Sequence, residues 1–276
     1  MVKQGCYRQG NFAKVEVIYL STRELLAPTP LVDRHLKMAE IQTPNPVKQT
    51  LSVVFVGSFN PRIFHPTWFK REGLVFPEEE AAGLSETKKD GPLVTPDLSR
   101  CEIGDEISVE CLTNRLSINA ATTLGEERLR SLATAILAKL PHTPITAVGI
   151  NHFQVFDTRN EDEWHLLGDQ LVPKEEIWSK VMEGRPGMVL LRVEDFRPGP
   201  PPVRVWATVE PVREPHPPYR FAIHTNWHTD ITLNVPDQAS QAEQASDFVT
   251  AQWDIALDFG RNLAKKLFEN LRRIQS

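Results

Sequence analysis

Between Thr123 and Leu140 the apolar residues Leu129, Leu132, Ala133, Ile136, Leu137 and Leu140 recur at spacings of three and four. On a helix they form one stripe, with Arg128, Arg130, Ser131, Thr134 and Lys139 on the remaining surface. Thr123 and Glu126 have the spacing of a capping box, and Pro141 ends the periodicity. A helix with a single apolar stripe has to cover something, and its neighbours are strands. Before it, Leu116, Ile118 and Ala120 alternate with Ser117 and Asn119, the period of a half-buried strand. After it, Ala147 to Phe156 carries Val148, Ile150, Phe153, Val155 and Phe156, too apolar for a solvated loop. Strand, capped helix and strand with short connections therefore call for a helix lying on a sheet.

The rest of the chain repeats the theme. Phe12 to Ser21 alternates weakly and reads as a strand that extends the sheet's edge. Residues 27 to 50 set LVDRHLKMAEI, two or three helical turns, among prolines. Leu51 to Phe59 is a near-continuous apolar run, the pattern of a central strand covered on both faces. Pro66 opens a short helix with Trp68 and Phe69 as anchors and Gly73 as its stop. From Pro77 to Ser99 charge, Gly and Pro predict a long loop or mobile insertion; Lys88 and Lys89 within it can bind phosphate or a partner, but a solvated loop accounts for them. Ile107 to Cys111 and Leu116 to Ala121 predict a hairpin.

Trp164, Leu167, Leu171, Ile177, Trp178 and Val181 predict a short helix followed by a longer one from Pro173. Gly187 to Phe196, Val203 to Val212 and Tyr219 to Leu233 predict an antiparallel meander joined by Pro-rich loops. A final helix begins near Ser240, three residues before Glu243, and runs to Ile274. Its stripe through Val249, Trp253, Ala256, Gly260, Leu263 and Leu267 is widened by Phe248, Ile255, Phe259 and Phe268, so it is buried on more than one side.

The predicted class is α+β, a mainly antiparallel sheet covered by two long amphipathic helices. Residues 1–50 form an N-terminal strand and Pro-rich extension packed on the body, and residues 51–276 a single domain. The order of elements nearly repeats between 51–141 and 145–276, the pattern of a pseudo-duplication.

Composition narrows the function classes. A hydrophobic fraction of 41% with 24% charged residues is that of a globular protein, and a net charge of -5 gives no general attraction to nucleic acid. No stretch approaches the roughly 20 apolar residues of a spanning helix. Cys6, Cys101 and Cys111 lack CxxC spacing, which fits free thiols in the cytoplasm.

Phosphate-loop, dinucleotide, zinc-protease, nucleophile-elbow and kinase signatures are absent from the sequence. The polar constellation that stands out is HTNWHTD. On a strand His224, Asn226, His228 and Asp230 share one face, and Ile223, Thr225, Trp227, Thr229 and Ile231 the other. His224 and His228 lie about 13 Å apart on a regular strand, too far for one metal, whereas His228 and Asp230, about 6.6 Å apart, can supply two ligands. A third would come from His152 or His165. Trp206, Asn226 and His152 are candidates for ligand contact. The plainer reading of the histidines is a water-facing strand side, of His152 a hydrogen-bonded core imidazole, and of the tryptophans packing.

The leading functional expectation is a non-catalytic cytoplasmic component that docks a protein partner, or assembles with itself, through a sheet edge or the long C-terminal helix, with no cofactor, nucleic acid or membrane. A hydrolase holding a divalent metal on HTNWHTD, and a small-molecule pocket between sheet and helix, stand beside it.

Overall fold

The computed structural model describes residues 44–77, 91–121, 125–184, 186–212, 218–231 and 240–275. Internal contacts divide the chain into residues 1–40 and 41–276, and every described residue belongs to the second unit. The expected strand at Phe12 to Ser21, the helical turns of residues 31–41, Lys88, Lys89 and the cap at Thr123 lie outside the described residues.

The architecture is α+β. The strands are β1 (Lys48–Gly57), β2 (Leu93–Val94), β3 (Leu98–Ile103), β4 (Ile107–Leu112), β5 (Arg115–Ala120), β6 (Ile145–Asp157), β7 (Leu191–Arg197), β8 (Val203–Val212) and β9 (Arg220–Asp230). Between them lie a 3-10 turn at Pro61–Ile63 and the helices α1 (Pro66–Arg71), α2 (Glu126–Lys139), α3 (Glu161–Leu171) and α4 (Trp178–Val181); α5 (Gln241–Gln275) closes the chain. Among the described residues the strands join one nine-stranded sheet in the order β2-β3-β4-β5-β1-β6-β9-β8-β7, with antiparallel pairing throughout. β1 and β6 pair at the centre. On each side the last strand of a meander lies next to the central one, and its earlier strands step outward.

Strand alternation sends Leu51, Val53 and Phe55 of β1, Leu116 and Ile118 of β5, Val148 and Ile150 of β6 and Trp227 of β9 to one face, where α2 and α5 cover them. A second cluster under the end of α5 joins Phe156, Phe221, Phe268 and Leu271 with Leu167 of α3. The opposite face carries no helix layer among the described residues. β1 is central, as its apolar run predicts, yet among the described residues a layer covers one of its faces, and Val56 is 40% exposed with Ser52 and Val54 half-buried. β-branched residues suit a pleated surface whether or not a layer lies over it.

Local chemistry explains the helix starts. Ser240 Oγ accepts from the Glu243 amide at 3.2 Å, the forward bond of a capping box. At α1, His65 Nδ1 accepts from the Thr67 amide, Pro66 fills the first turn and Gly73, at φ +69°, follows the end. α2 starts differently from the sequence reading. Gly125 is its N-cap, so Glu126 stands at the first helical position, where it pairs with Arg261 of α5 instead of reaching back along its own helix.

Two further expectations change. The stretch predicted as a loop through Ser99 already contains β2 and the start of β3. Of the two helices after β6 the first is the longer, and α4 spans four residues. Ile177 and Val181, which belong to the predicted helical pattern, are 64% and 73% exposed, and Trp178 is exposed as well, so little packs beneath that periodicity to extend it.

Candidate functional site

The residues of HTNWHTD divide between the two faces as their alternation requires. Ile223, Thr225, Trp227 and Thr229 lie under α5, while His224, Asn226 and His228 are half-buried on the open face and Asp230 is exposed. Cross-strand register builds a platform around them. One row runs Ser52, Asn151, Asn226, Trp206 and Glu194; the next runs Val54, Gly149, His228, Arg204 and Phe196. Asn226 Nδ2 donates to Asn151 Oδ1 at 2.6 Å. His228 Nε2 lies 3.3 Å from Asp230 Oδ1, and the Trp206 ring tilts 33° against the His228 ring at 5.5 Å between centroids. A Cβ on Gly149 would come within 3.1 Å of Asn226 Nδ2, so the glycine lets the asparagine lie flat across β6.

The structure places His224, Asn226, His228, Asp230 and Trp206 on one face, with Trp206, His228 and Asp230 in contact, and His152 on the other. His152 pairs with Thr225 and lies on the helix-covered face, 2% exposed, on the far side of the sheet from His228. It therefore cannot complete a metal site with His228 and Asp230, nor share a ligand with Trp206 and Asn226. The cause is parity: on antiparallel neighbours only directly opposed residues and their second neighbours share a face. His165 lies on α3 with its Nε2 3.6 Å from Glu161. Among the described residues no group of three or more His, Cys, Asp or Glu side chains is placed to hold a metal ion. The His228 and Asp230 contact orients an imidazole, which is one half of a general base, and the open-face row adds amide donors and acceptors.

Among the described histidines His152 is the most perturbed. Burial, then the positive charge of Arg261, then His224 push its pKa down to about 4, so it is neutral under α5. His224 is also lowered, first by burial and then by Arg192. Across the sheet, hydrogen bonding from Arg100 holds the Glu110 carboxyl below its ordinary range, with Arg115 adding to the effect. The Cys101 and Cys111 thiols are free and pushed up to about 12 by burial, which makes them poor nucleophiles.

One end of β9 borders a recess of about 760 Å³. Pro200, Pro201, Pro202, Ile231, Phe248 and Ala251 give it an apolar lining, and Asp230, Asp247, Gln244 and Gln252 a polar rim.

The feature that motif reading passed over is the β7 edge. β7 bonds to β8 on one side only, and among the described residues no strand lies beyond it. At its end Arg197 lies over the Trp227 and Phe259 rings, and the rest of the helix side of the strand carries little cover. Val193 on the helix side and Phe196 on the open side are each 56% exposed, and Val189 and Leu190 just before the strand are exposed too. The other sheet edge, β2, is two residues long, a common way of blunting an edge. The signal that could have found β7 is LLRVEDFR itself, where four charged residues are interspersed with large apolar ones in a segment that still pairs.

Among the described residues no helix is long and apolar enough to cross a membrane. No family model matches the chain, and no curated protein matches it.

Proposed function

We propose that this protein is a non-catalytic interaction component that docks an extended polypeptide along the outer edge of β7. The observation that carries the reading is a seven-residue edge strand, unpaired on its outer side among the described residues, with Val189, Leu190, Val193 and Phe196 exposed along it. Outward amides and carbonyls of an edge strand supply affinity to an added strand, and side chains on its faces supply selectivity. Exposed Ile177, Trp178, Val181 and Met182 belong to the chain segment leading into it. The long helix is the weaker candidate surface, because Phe248, Val249, Trp253, Ala256, Ala264 and Phe268 are spent on the sheet and α2.

The test is a photo-reactive residue introduced in the full chain, in the expressing cell, at position 193, at 196 or at the mid-sheet control position 50. Polypeptide adducts are expected at 193 and 196 and not at 50. Equal labelling at all three, or none, overturns the reading.

A second reading, a small-molecule pocket between sheet and helix, is favoured by the recess beside Asp230, whose volume is that of a ligand site. Its acidic rim over apolar walls suits an amphipathic amine. A rise in melting temperature with long-chain amines, lost in Phe248→Asp, supports it, and no shift removes it.

A further inference from the structure

We infer that the occupant of the β7 edge is the β7 strand of a second copy of this chain, paired antiparallel about a two-fold axis through Val193. The inference rests on the edge-docking reading and adds the partner and the register.

A two-fold axis perpendicular to the sheet keeps each face on its own side, so even-numbered residues of β7 oppose even-numbered ones and odd oppose odd. Axes through Leu191 or Phe196 overlap three residues of each strand at most, and charge decides among the other registers. An axis through Glu194 sets Glu194 against its own copy and Arg192 against Phe196. An axis through Asp195 or through Arg192 sets that charge against itself. Like charges directly opposite destabilise a strand pair. With the axis through Val193, Arg192 opposes the partner's Glu194 and Glu194 the partner's Arg192, both on the open face. Leu190 then opposes the partner's Phe196, also on the open face, and the reciprocal pair follows from symmetry. Val193 meets its own copy on the helix side, where the helix layer leaves it exposed.

The side chains are in place for this. Arg192 Nε donates to Thr208 Oγ1 at 3.3 Å, and Glu194 lies 3.7 Å from Arg204, so both are held over the open face beside their own β8. Four charged residues in a seven-residue edge also have a protective reading, in which they repel a neighbouring strand. Arg192 and Glu194 complement each other across the axis through Val193, where Asp195 opposes Leu191, whereas an axis through Arg192, Glu194 or Asp195 brings like charges together. The pairing joins two nine-stranded sheets edge to edge and covers Leu190, Val193 and Phe196 on both copies.

Sedimentation of the full chain over a range of concentrations tests the inference. The unaltered protein is expected to form a dimer. Arg192→Glu and Glu194→Arg each turn two attractive pairs into two repulsive ones and are expected to raise the dissociation constant about tenfold or more. Mixing the two variants sets a chain with carboxylates at both positions, 192 and 194, against a chain with guanidinium groups at both. Every opposed pair is then attractive again, and a heterodimer with the original affinity is expected. Val193→Cys is expected to form an interchain disulfide readily and Asp195→Cys not, because only residue 193 meets itself. Unchanged circular dichroism and melting of each variant excludes unfolding as the cause. A dimer indifferent to both charge reversals, or variants that stay apart when mixed, overturns the inference. A monomer at every concentration also overturns it, and adducts from position 193 to a foreign chain would then leave the edge-docking reading standing; loss of both dimer and adducts removes the two together.

Discussion

His152 shows how one side chain links burial to pH dependence. Neither of its ring nitrogens meets a hydrogen-bonding group among the described residues, and it lies between Leu51, Thr225 and the backbone of Gly260. Protonation there would put an unpaired cation under a helix, with Arg261 nearby raising the cost. The unfolded chain takes up its proton near pH 6.5, while the folded imidazole resists until about pH 4. Across that interval the unfolded state binds more protons, so the contribution to stability is complete above pH 6.5 and declines as the pH falls toward 4. The whole decline amounts to about 3 kcal/mol. Urea midpoints of the native chain and His152→Leu should diverge steadily between pH 7 and 4.5, the variant losing less; parallel pH profiles would refute the assignment. At pH 7 the variant is expected to be as stable as the parent or more so, because an apolar group replaces an unpaired polar one. The presence of this histidine in an apolar strand was legible in the sequence. Its face was not, because parity against β9 depends on a register that periodicity within one strand does not carry. The same limit separated His152 from His228 despite their adjacent strands, whereas the division within HTNWHTD, internal to a single strand, was readable from alternation alone.

Between elements, the seam of α5 on β6 and β9 turns on a glycine. A Cβ at Gly260 would stand 2.6 Å from His152 Nδ1 and 3.2 Å from Thr225 Oγ1, so α5 approaches the sheet here more closely than any side chain allows. Gly260→Ala gains helix propensity of about 1 kcal/mol but forces the seam apart, a strain of about 1–3 kcal/mol, and net destabilisation is expected. His152→Ala vacates the contacted position. In a double-mutant cycle the alanine at 260 should therefore cost markedly less when residue 152 is also alanine, with a coupling of at least about 1 kcal/mol read from chemical denaturation. Additive losses would show that the helix does not bear on His152. Trp227 anchors the same seam from β9, its Nε1 donating to Gln252 Oε1 at 3.1 Å and its ring lying 4.4 Å under the Arg197 guanidinium. The two long helices were legible because their stripes run for many turns, and the widened stripe of α5 signalled burial on more than one side. β2 and β3 were missed and α3 and α4 mis-sized for a shared physical reason. Where few residues pair or pack, Gly, Pro and charge dominate the composition, and the structure is decided by neighbours distant in sequence.

For the whole molecule, the central pairing of β1 with β6 decides whether the two halves of the sheet are separate folding units. The topology lays two plans back to back, each a central strand followed by a meander that returns beside it and a long helix on top. The packing does not divide there. One cluster runs from Cys101, Val109 and Leu116 through Val53 and Phe55 of β1 and Ile150 of β6 to Val205 and Trp227, with Leu132 and Ile136 of α2 and Trp253 of α5 in the same body. α5, which follows the second meander in sequence, packs on α2, which follows the first. Removing either half would uncover a central strand along one edge and strip a helix from the cluster, exposing apolar surface at roughly 25 cal/mol per Å². The halves are therefore expected to unfold together although the chain exceeds the length at which intermediates become common. Amide exchange in increasing urea provides the measurement. Amides of β4 and β5 on one side and of β8 and β9 on the other should lose protection at the same midpoint and with the same dependence on urea, while β7, whose side chains lie outside the core, should exchange earlier in the monomer. Midpoints for β5 and β9 that separate clearly would mean that the pairing of β1 with β6 joins two domains, and that the shared cluster contributes less cohesion than its continuity implies.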